Sequence, residues 1–411
     1  MPFTQFDLHP DLHKGVKAMG FTAPTPIQVQ AIPAALGGKD VLGSAQTGSG
    51  KTLAFVVPIL DKLLRVRPEP GAKPTVRALI LVPTRELAAQ VETAVRDLSR
   101  FCPVQCALVI GGVSYHNQVQ ALRKGAEIVV ATPGRLLDHQ RSATIRLDRV
   151  EVAVLDEADR MLDMGFMPDV RRIMNLLPKD RRTLMFSATI PREVERAVGE
   201  FLKEPVRIEV DRPRATAEGV AQLVYPITQD QKNDLLVAIL RNAKVTSAVI
   251  FTRTKDRADR VARILEGKGF PVAVLHSNKT QAQRTQTMEG FREKKHQILV
   301  ATDLVARGID VRHISHVINY DVPQHAEDYV HRIGRTGRAF TVGDAITLMT
   351  LDEQSFVLQI EAFINQAIPR AALPDFPYRV PPLLKVFKAA SSSNFRLRRT
   401  IARSSGMRFR R

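Results

Sequence analysis

From Arg77 onward the chain alternates short apolar, β-branched runs with segments of helical period. The runs are ALILVP, CALVIGG, EIVVAT, VEVAVLD and TLMFSAT, then LVYPI, SAVIFT, PVAVLH, QILVAT, ISHVINY and DAITLM. Strands this continuously apolar have no polar face to offer water, so they belong in parallel sheets covered by helices on both sides. The fold class is α/β. The polar stretch Asp211-Arg212-Pro213-Arg214-Ala215-Thr216-Ala217-Glu218-Gly219 interrupts the alternation and reads as a linker between two units of like architecture. With 411 residues and 44% hydrophobic content, the chain can give each unit a core of its own. The expected division is a unit over 1–210, a linker over 211–219, a second unit over 220–368 and a tail over 369–411.

In sheets of this kind, binding groups collect at the carboxyl ends of the strands. The most informative segment is Ala45-Gln46-Thr47-Gly48-Ser49-Gly50-Lys51-Thr52, which follows the apolar Val41-Leu42 and precedes helically spaced Leu53, Val56, Val57, Leu60 and Leu64. A strand, a glycine turn and a helix start let backbone N–H groups and the helix dipole face phosphate oxygens. Lys51 then reaches the β- and γ-phosphates, and the Thr52 hydroxyl holds Mg²⁺. The general phosphate-loop pattern has glycine where this chain has Ala45, and Pro58 is expected to bend the following helix. Asp156-Glu157, at the tip of a buried strand, supplies a carboxylate for Mg²⁺ and a neighbour to orient or deprotonate water. Asp159 reads more simply as a helix cap.

Before the loop lies a short amphipathic helix carrying Phe6, Leu8, Leu12, Val16 and Met19, then Gly20-Phe21-Thr22-Ala23-Pro24-Thr25-Pro26-Ile27-Gln28. The two prolines predict a rigid, non-helical turn with an exposed Gln28. Phe21 can stack on a base there, and the Gln28 amide can pair with its edge. In the second half, His331-Arg332-Ile333-Gly334-Arg335-Thr336-Gly337-Arg338 interleaves arginine with glycine, a poor core and a good cross-cleft grip on a γ-phosphate. Ala301-Thr302-Asp303 and Arg307-Gly308-Ile309-Asp310 add a hydroxyl, acids and an arginine at another strand end.

The formal charge of +18 points to a polyanionic partner. No apolar run approaches bilayer-spanning length, and the N-terminus lacks a signal-peptide pattern, so a cytoplasmic location is expected. Cys102 and Cys106 have no second Cys/His pair to complete a zinc site. Between Pro369 and Arg411, eleven basic residues face one acid, and the last part reads as a flexible basic arm with Phe387, Phe395 and Phe409 among the arginines.

These motifs together resemble the DEAD-box ATP-dependent RNA helicases, over roughly residues 3 to 368, with a short tail similar to that of the bacterial RhlE-type subgroup. The resemblance implies two RecA-like domains that use ATP with Mg²⁺ and close on single-stranded or duplex RNA, largely without regard to sequence. GFTAPTPIQ resembles the adenine-selecting motif, with Phe21, Thr25 and Gln28 as its site residues. AQTGSGKT is the family's own form of the phosphate loop, Ala45 to Thr52. DEAD and SAT are Asp156 to Asp159 and Ser187 to Thr189, with Ser187, Thr189 and His331 coupling hydrolysis to strand separation. Arg335 and Arg338 match the arginine fingers, and Asp310 matches the ribose contact. Thr84, Arg85, Gly112, Thr132, Arg135, Arg253, Gln281, Arg284 and Thr302 match residues that grip the RNA backbone. The implied activity is RNA-dependent ATP hydrolysis with local unwinding of short duplexes, in ribosome assembly or RNA turnover. An ATP-gated RNA clamp with little turnover is the other function that these motifs admit, although intact Glu157, Arg335 and Arg338 favour the enzyme.

Overall fold

A computed structural model describes residues 2–45, 49–67, 75–210, 220–242, 245–303, 314–334, 336, 343–382 and 384. The first unit runs α1 (Pro10–Ala18), α2 (Pro26–Leu36), β1 (Val41–Ser44), α3 (Lys51–Arg65), β2 (Ala78–Leu81), α4 (Arg85–Leu98), β3 (Cys106–Val109) and α5 (Tyr115–Arg123). It continues with β4 (Ile128–Ala131), α6 (Pro133–Arg141), β5 (Val152–Leu155), α7 (Ala158–Asp163), α8 (Met167–Leu176), β6 (Arg182–Ser187), α9 (Arg192–Phe201) and β7 (Val206–Glu209). The second unit runs β8 (Val220–Pro226), α10 (Lys232–Asn242), β9 (Ala248–Thr252), α11 (Lys255–Gly267), β10 (Val272–Leu275) and α12 (Gln281–Arg292). It closes with β11 (Ile298–Thr302), β12 (His316–Asn319), α13 (Ala326–Ile333), β13 (Gly343–Met349) and α14 (Gln354–Ile364).

The strands form a seven-stranded sheet in the order β3-β4-β2-β5-β6-β1-β7 and a six-stranded sheet in the order β10-β11-β9-β12-β13-β8, every pair parallel. Each RecA-like sheet is covered on both faces because adjacent strand residues point opposite ways. Thus Ile80 joins Leu12, Ile27, Phe55 and Val91 on one side, while Leu79 joins Leu136, Val170 and Val194 on the other. All the apolar runs from Arg77 onward become strands. The edge strand β7 was not foreseen: of Val206-Arg207-Ile208-Glu209 only Ile208 is buried, so no apolar run marks it.

Three local expectations are corrected. Pro26, Ile27 and Gln28 open helix α2 rather than a non-helical turn. Proline is tolerated at the first helical position because its missing N–H would be unpaired there anyway, and Gln28 turns back so that its Oε1 accepts from the Thr25 backbone N–H at 2.9 Å. That use draws Gln28 inward to 3% exposure. The tail expected from residue 369 begins later. The Val224 N–H donates to the Pro369 carbonyl and the Ala371 N–H to the Val224 carbonyl, so the segment pairs with β8 at the sheet edge. Leu373, Phe376 and Tyr378 pack on the core beneath, and the Gln231 side chain bonds the Pro377 carbonyl and the Arg379 N–H. Residues 211–219 and 385–411 lie outside the described residues.

At the other end of the chain, α1 docks on the end of α4 with almost no room. A Cβ at Gly15 would lie 2.1 Å from the Leu98 carbonyl oxygen, so only glycine permits the approach.

Candidate ATP and nucleic-acid site

Strand order divides the carboxyl edge of each sheet in two. In the first, β5, β6 and β1 carry the phosphate-side candidates, and β3, β4 and β2 carry the nucleic-acid candidates. In the second, Arg253, Gln281, Arg284 and Thr302 follow or end β9, β10 and β11, while α13 with His331 follows β12.

On the phosphate side, Gly50 has φ +92° and begins α3, so Lys51 and Thr52 occupy the first helical positions. The Gln28 Nε2 donates to the Gly50 carbonyl at 2.9 Å. The left-handed φ at Gly50 is what calls for glycine, and a Cβ there would also sit 2.4 Å from that nitrogen and push the Gln28 amide aside. Gln28 therefore ties the base-reading motif to the phosphate loop, and still keeps one amide hydrogen and one lone pair for a ligand. Phe21 is 37% exposed and leans on Phe3, 6.3 Å between centroids, leaving ring surface for a base. Ala45 is buried at the end of β1. Lys51 is buried too, and its ammonium and the Ser49 hydroxyl have no hydrogen-bond partner among the described residues. A buried, unpartnered cation at a helix N-terminus is a cradle for anionic oxygens. Gln46, Thr47 and Gly48 lie outside the described residues, as do Asp310, Arg335 and Arg338.

Asp156 is 3% exposed, and burial pushes its carboxyl up to about 6; Lys51 opposes the push, and Glu157 and Asp159 add to it. Glu157 sits in the left-handed region at φ 52°, capping α7, with its Oε2 2.8 Å from the Arg160 guanidinium. Backbone strain at a non-glycine residue is costly and concentrates where a side chain must be aimed. Among the described residues no group of three or more His, Cys, Asp or Glu gathers to hold a metal. The donors that remain, the Asp156 carboxylate and the Thr52 hydroxyl, fit Mg²⁺, which takes one or two protein oxygens and completes its shell with water and phosphate.

Asp159 does more than cap a helix. Its Oδ2 accepts from the Ala188 N–H at 3.1 Å, the Thr189 N–H at 2.7 Å and the Thr189 hydroxyl at 2.8 Å, while its own N–H donates to Ser187 Oγ at 3.1 Å. One carboxylate thus joins the strand end bearing Glu157 to the segment Ser187–Thr189. The only sequence signal for this was its place one turn after Asp156.

On the nucleic-acid side, α4, α5 and α6 start side by side at adjoining strand ends, and their dipoles favour an anionic backbone. Thr84 caps α4, its hydroxyl accepting from the Leu87 N–H at 3.3 Å. Arg85 lies against Gly111-Gly112, where φ is +77° at Gly112 and a Cβ would fall 2.2 Å from the guanidinium. Thr132 is the N-cap residue of α6, and Arg135 is in its first turn, partly buried.

In the second unit Thr302 ends β11, buried. The guanidinium of Arg253 is engaged within its own unit, by Glu353 at 3.1 Å and the Val322 carbonyl at 3.4 Å. That Glu353 also bonds the fully buried Lys232 at 2.7 Å. His331 is half-buried on α13. Arg332 is held within the unit as well, forked on Asp303 at 2.6 and 2.7 Å and over the Phe251 ring.

Gln281 and Arg284, on α12, face α4 of the first unit across a cleft of about 530 Å³. Arg284 forms an ion pair with Glu86 at 2.7 Å, both side chains about nine-tenths buried. Sequence reasoning passed over Glu86, although it stands beside Arg85 at a strand end; nothing local names a partner in the other unit.

Two parallel RecA-like sheets, a phosphate loop, a strand-end acid pair and nucleic-acid candidates on both units define an ATP-using nucleic-acid motor. The DEAD/DEAH box helicase model matches residues 25–197, and the helicase conserved C-terminal domain model matches residues 231–340. The chain belongs to the DEAD-box ATP-dependent RNA helicases. It is 41% identical over 372 residues to the DEAD-box ATP-dependent RNA helicase CshA of Bacillus subtilis, covering 90% of this chain and 74% of that one. Among solved structures it resembles S. cerevisiae Dbp5 bound to RNA and ADP BeF3, with TM-score 0.80, 30% identity and coverage of 90% and 95%. A DEAD box protein from Methanococcus jannaschii gives TM-score 0.52 at 35% identity, covering 90% and 99%. No helix among the described residues is long and apolar enough to cross a membrane.

Proposed function

We propose that this chain separates short RNA duplexes locally, by closing its two units on ATP and one RNA strand, in ribosome assembly or RNA turnover in the cytoplasm. Residues 1–210 and 220–382 act as the two moving bodies, with 211–219 as the linker between them. In this reading Phe21, Thr25 and Gln28 hold the adenine, and the loop from Ala45 to Thr52 holds the phosphates with Lys51 neutralising them. Thr52 and Asp156 hold Mg²⁺, which, when bound, offsets charge on the phosphate oxygens. Glu157 orients the attacking water and takes its proton as the bond to the γ-phosphorus forms and ADP departs. Arg335 and Arg338 reach across to the transferring group, Asp310 meets the ribose, and Ser187, Thr189 and His331 pass the change to the RNA side.

The observation that carries this reading is the Asp159 bridge, because it makes the hydrolytic acid and the Ser187–Thr189 segment one hydrogen-bonded piece. RNA contacts fall on backbone phosphate and sugar, so little sequence preference is expected, with the 2′-hydroxyl separating RNA from DNA. The test is steady-state ATPase with RNA, with matching DNA and with neither, beside Glu157→Gln. RNA should raise turnover severalfold, DNA should not, and Glu157→Gln should lower kcat by at least 10²-fold while leaving ATP binding intact. Cooperative ATP and RNA binding with background turnover would instead support the clamp.

A further inference from the structure

We infer that Tyr115 is a positioning residue for Arg135, and that it makes the turn at Gly111-Gly112 and the start of α6 a single RNA-gripping unit; this rests on the reading of Arg135 as an RNA contact. Tyr115 opens α5 directly after that turn, with Ser114 as its cap. Its ring stacks on the His139 imidazole, with centroids 4.1 Å apart and planes 9° from parallel. The Arg135 guanidinium lies over the same ring, 5.7 Å from its centroid. Apart from this ring, the guanidinium has a loose contact to Asp138 at 3.8 Å. The aromatic face is thus the better-defined surface against which it rests.

The stack is itself fixed from below. Thr144 Oγ1 lies 2.8 Å from His139 Nδ1 and 3.3 Å from the Tyr115 hydroxyl, and it donates to the His139 carbonyl at 3.0 Å. A hydroxyl has one proton and two lone pairs. With its proton on the carbonyl, it accepts from the Nδ1–H and from the tyrosine hydroxyl, which satisfies all three contacts and sets the imidazole in the Nδ1–H form. His139 is fully buried, and burial and the nearby Arg135 charge both favour the neutral ring, with Asp138 opposing. A neutral, buried imidazole held at Nδ1 is a flat support for the tyrosine ring. Tyrosine here therefore transmits the position of the glycine turn to the arginine of the next strand's helix.

The experiment measures RNA-stimulated ATPase and RNA affinity with a non-hydrolysable ATP analogue, for the full chain and for Tyr115→Phe, Tyr115→Leu, Arg135→Ala and the Tyr115→Leu/Arg135→Ala pair. Tyr115→Phe keeps the ring and its stack on His139, losing only the 3.3 Å contact to Thr144, and should stay closer to the parent in RNA KM than Tyr115→Leu. Tyr115→Leu fills the space without a π-face and should raise the RNA KM by roughly two- to fivefold, with kcat at saturating RNA unchanged. The double variant should be no weaker than Arg135→Ala. A Tyr115→Leu chain that melts with the parent and binds RNA like it, while Arg135→Ala binds weakly, overturns the positioning role. Additive losses in the double variant overturn it too. An Arg135→Ala chain that binds RNA normally overturns the underlying RNA contact, a result that the other two cannot mimic.

Discussion

The ion pair between Glu86 and Arg284 exists only while the two units face each other, so Glu86→Gln tests closure apart from folding. The nitrogen and oxygen are 2.7 Å apart, with the two side chains 11% and 9% exposed. Charge centres about 4 Å apart attract by about 4 kcal/mol at an effective dielectric of about 20. Desolvating both groups consumes much of this, and glutamine keeps an acceptor at the same place, so the net loss should be about 1–3 kcal/mol. Linkage then lowers the coupling between ATP-analogue and RNA binding by roughly 5- to 150-fold. The assay compares RNA affinity with and without the analogue, read with a donor and acceptor dye on the two units. The melting temperature of either unit should stay put. Coupling within twofold of the parent would refute the claim that this pair holds the closed form.

Two further substitutions test parts of the first unit. The Asp156 carboxyl titrates near 6 in the fold against about 3.8 in the open chain, so the folded form binds its proton more tightly. That penalty is absent below the lower value, grows as pH rises between the two, and is complete above 6. Asp156→Asn should therefore stabilise the nucleotide-free, metal-free chain by on the order of 1–3 kcal/mol at pH 8, and less at pH 5, while ending ATP hydrolysis. Melting scans at the two pH values check it, and an equal or negative change at pH 8 would contradict it. Gly15→Ala sets a methyl 2.1 Å from the Leu98 carbonyl oxygen, backbone against backbone. It should cost about 1–3 kcal/mol in thermal unfolding and expose α1 to protease, with the ATP site otherwise intact.

The sheet-forming runs and the order of motifs were legible because both depend on neighbours in sequence. Burial on both faces writes itself as a continuous apolar run, and a phosphate loop needs its glycines and lysine in one stretch. What stayed hidden depends on partners far along the chain. Val206-Arg207-Ile208-Glu209 is a strand because β1 lies beside it, not because of its own pattern. Glu86 shows nothing of Arg284, nor Asp159 of Thr189, because a carboxylate's spelling is the same whoever it binds. Gln28 was read as exposed because its residue type is usually so, whereas here its amide is used by the backbone on both sides. Arg253 shows nothing of its partners either: its guanidinium bonds Glu353 and its backbone N–H donates to Asp321 at 2.8 Å, both far along the chain.

The segment from 369 to 382 meets the outer flank of β8 at Val224, where both of its backbone bonds to that strand fall, and β8 is the first strand of its sheet to be synthesised. A ribosome that has released residues 220–368 has made every other strand and helix of this unit, yet β8 still shows a row of unpaired peptide groups. Edges of that kind recruit foreign strands, and the hazard lasts until the final stretch emerges. Cutting the gene at the last helicase motif would make that moment permanent. Such a shortened chain is expected to keep its catalytic motifs and to aggregate more readily than the parent.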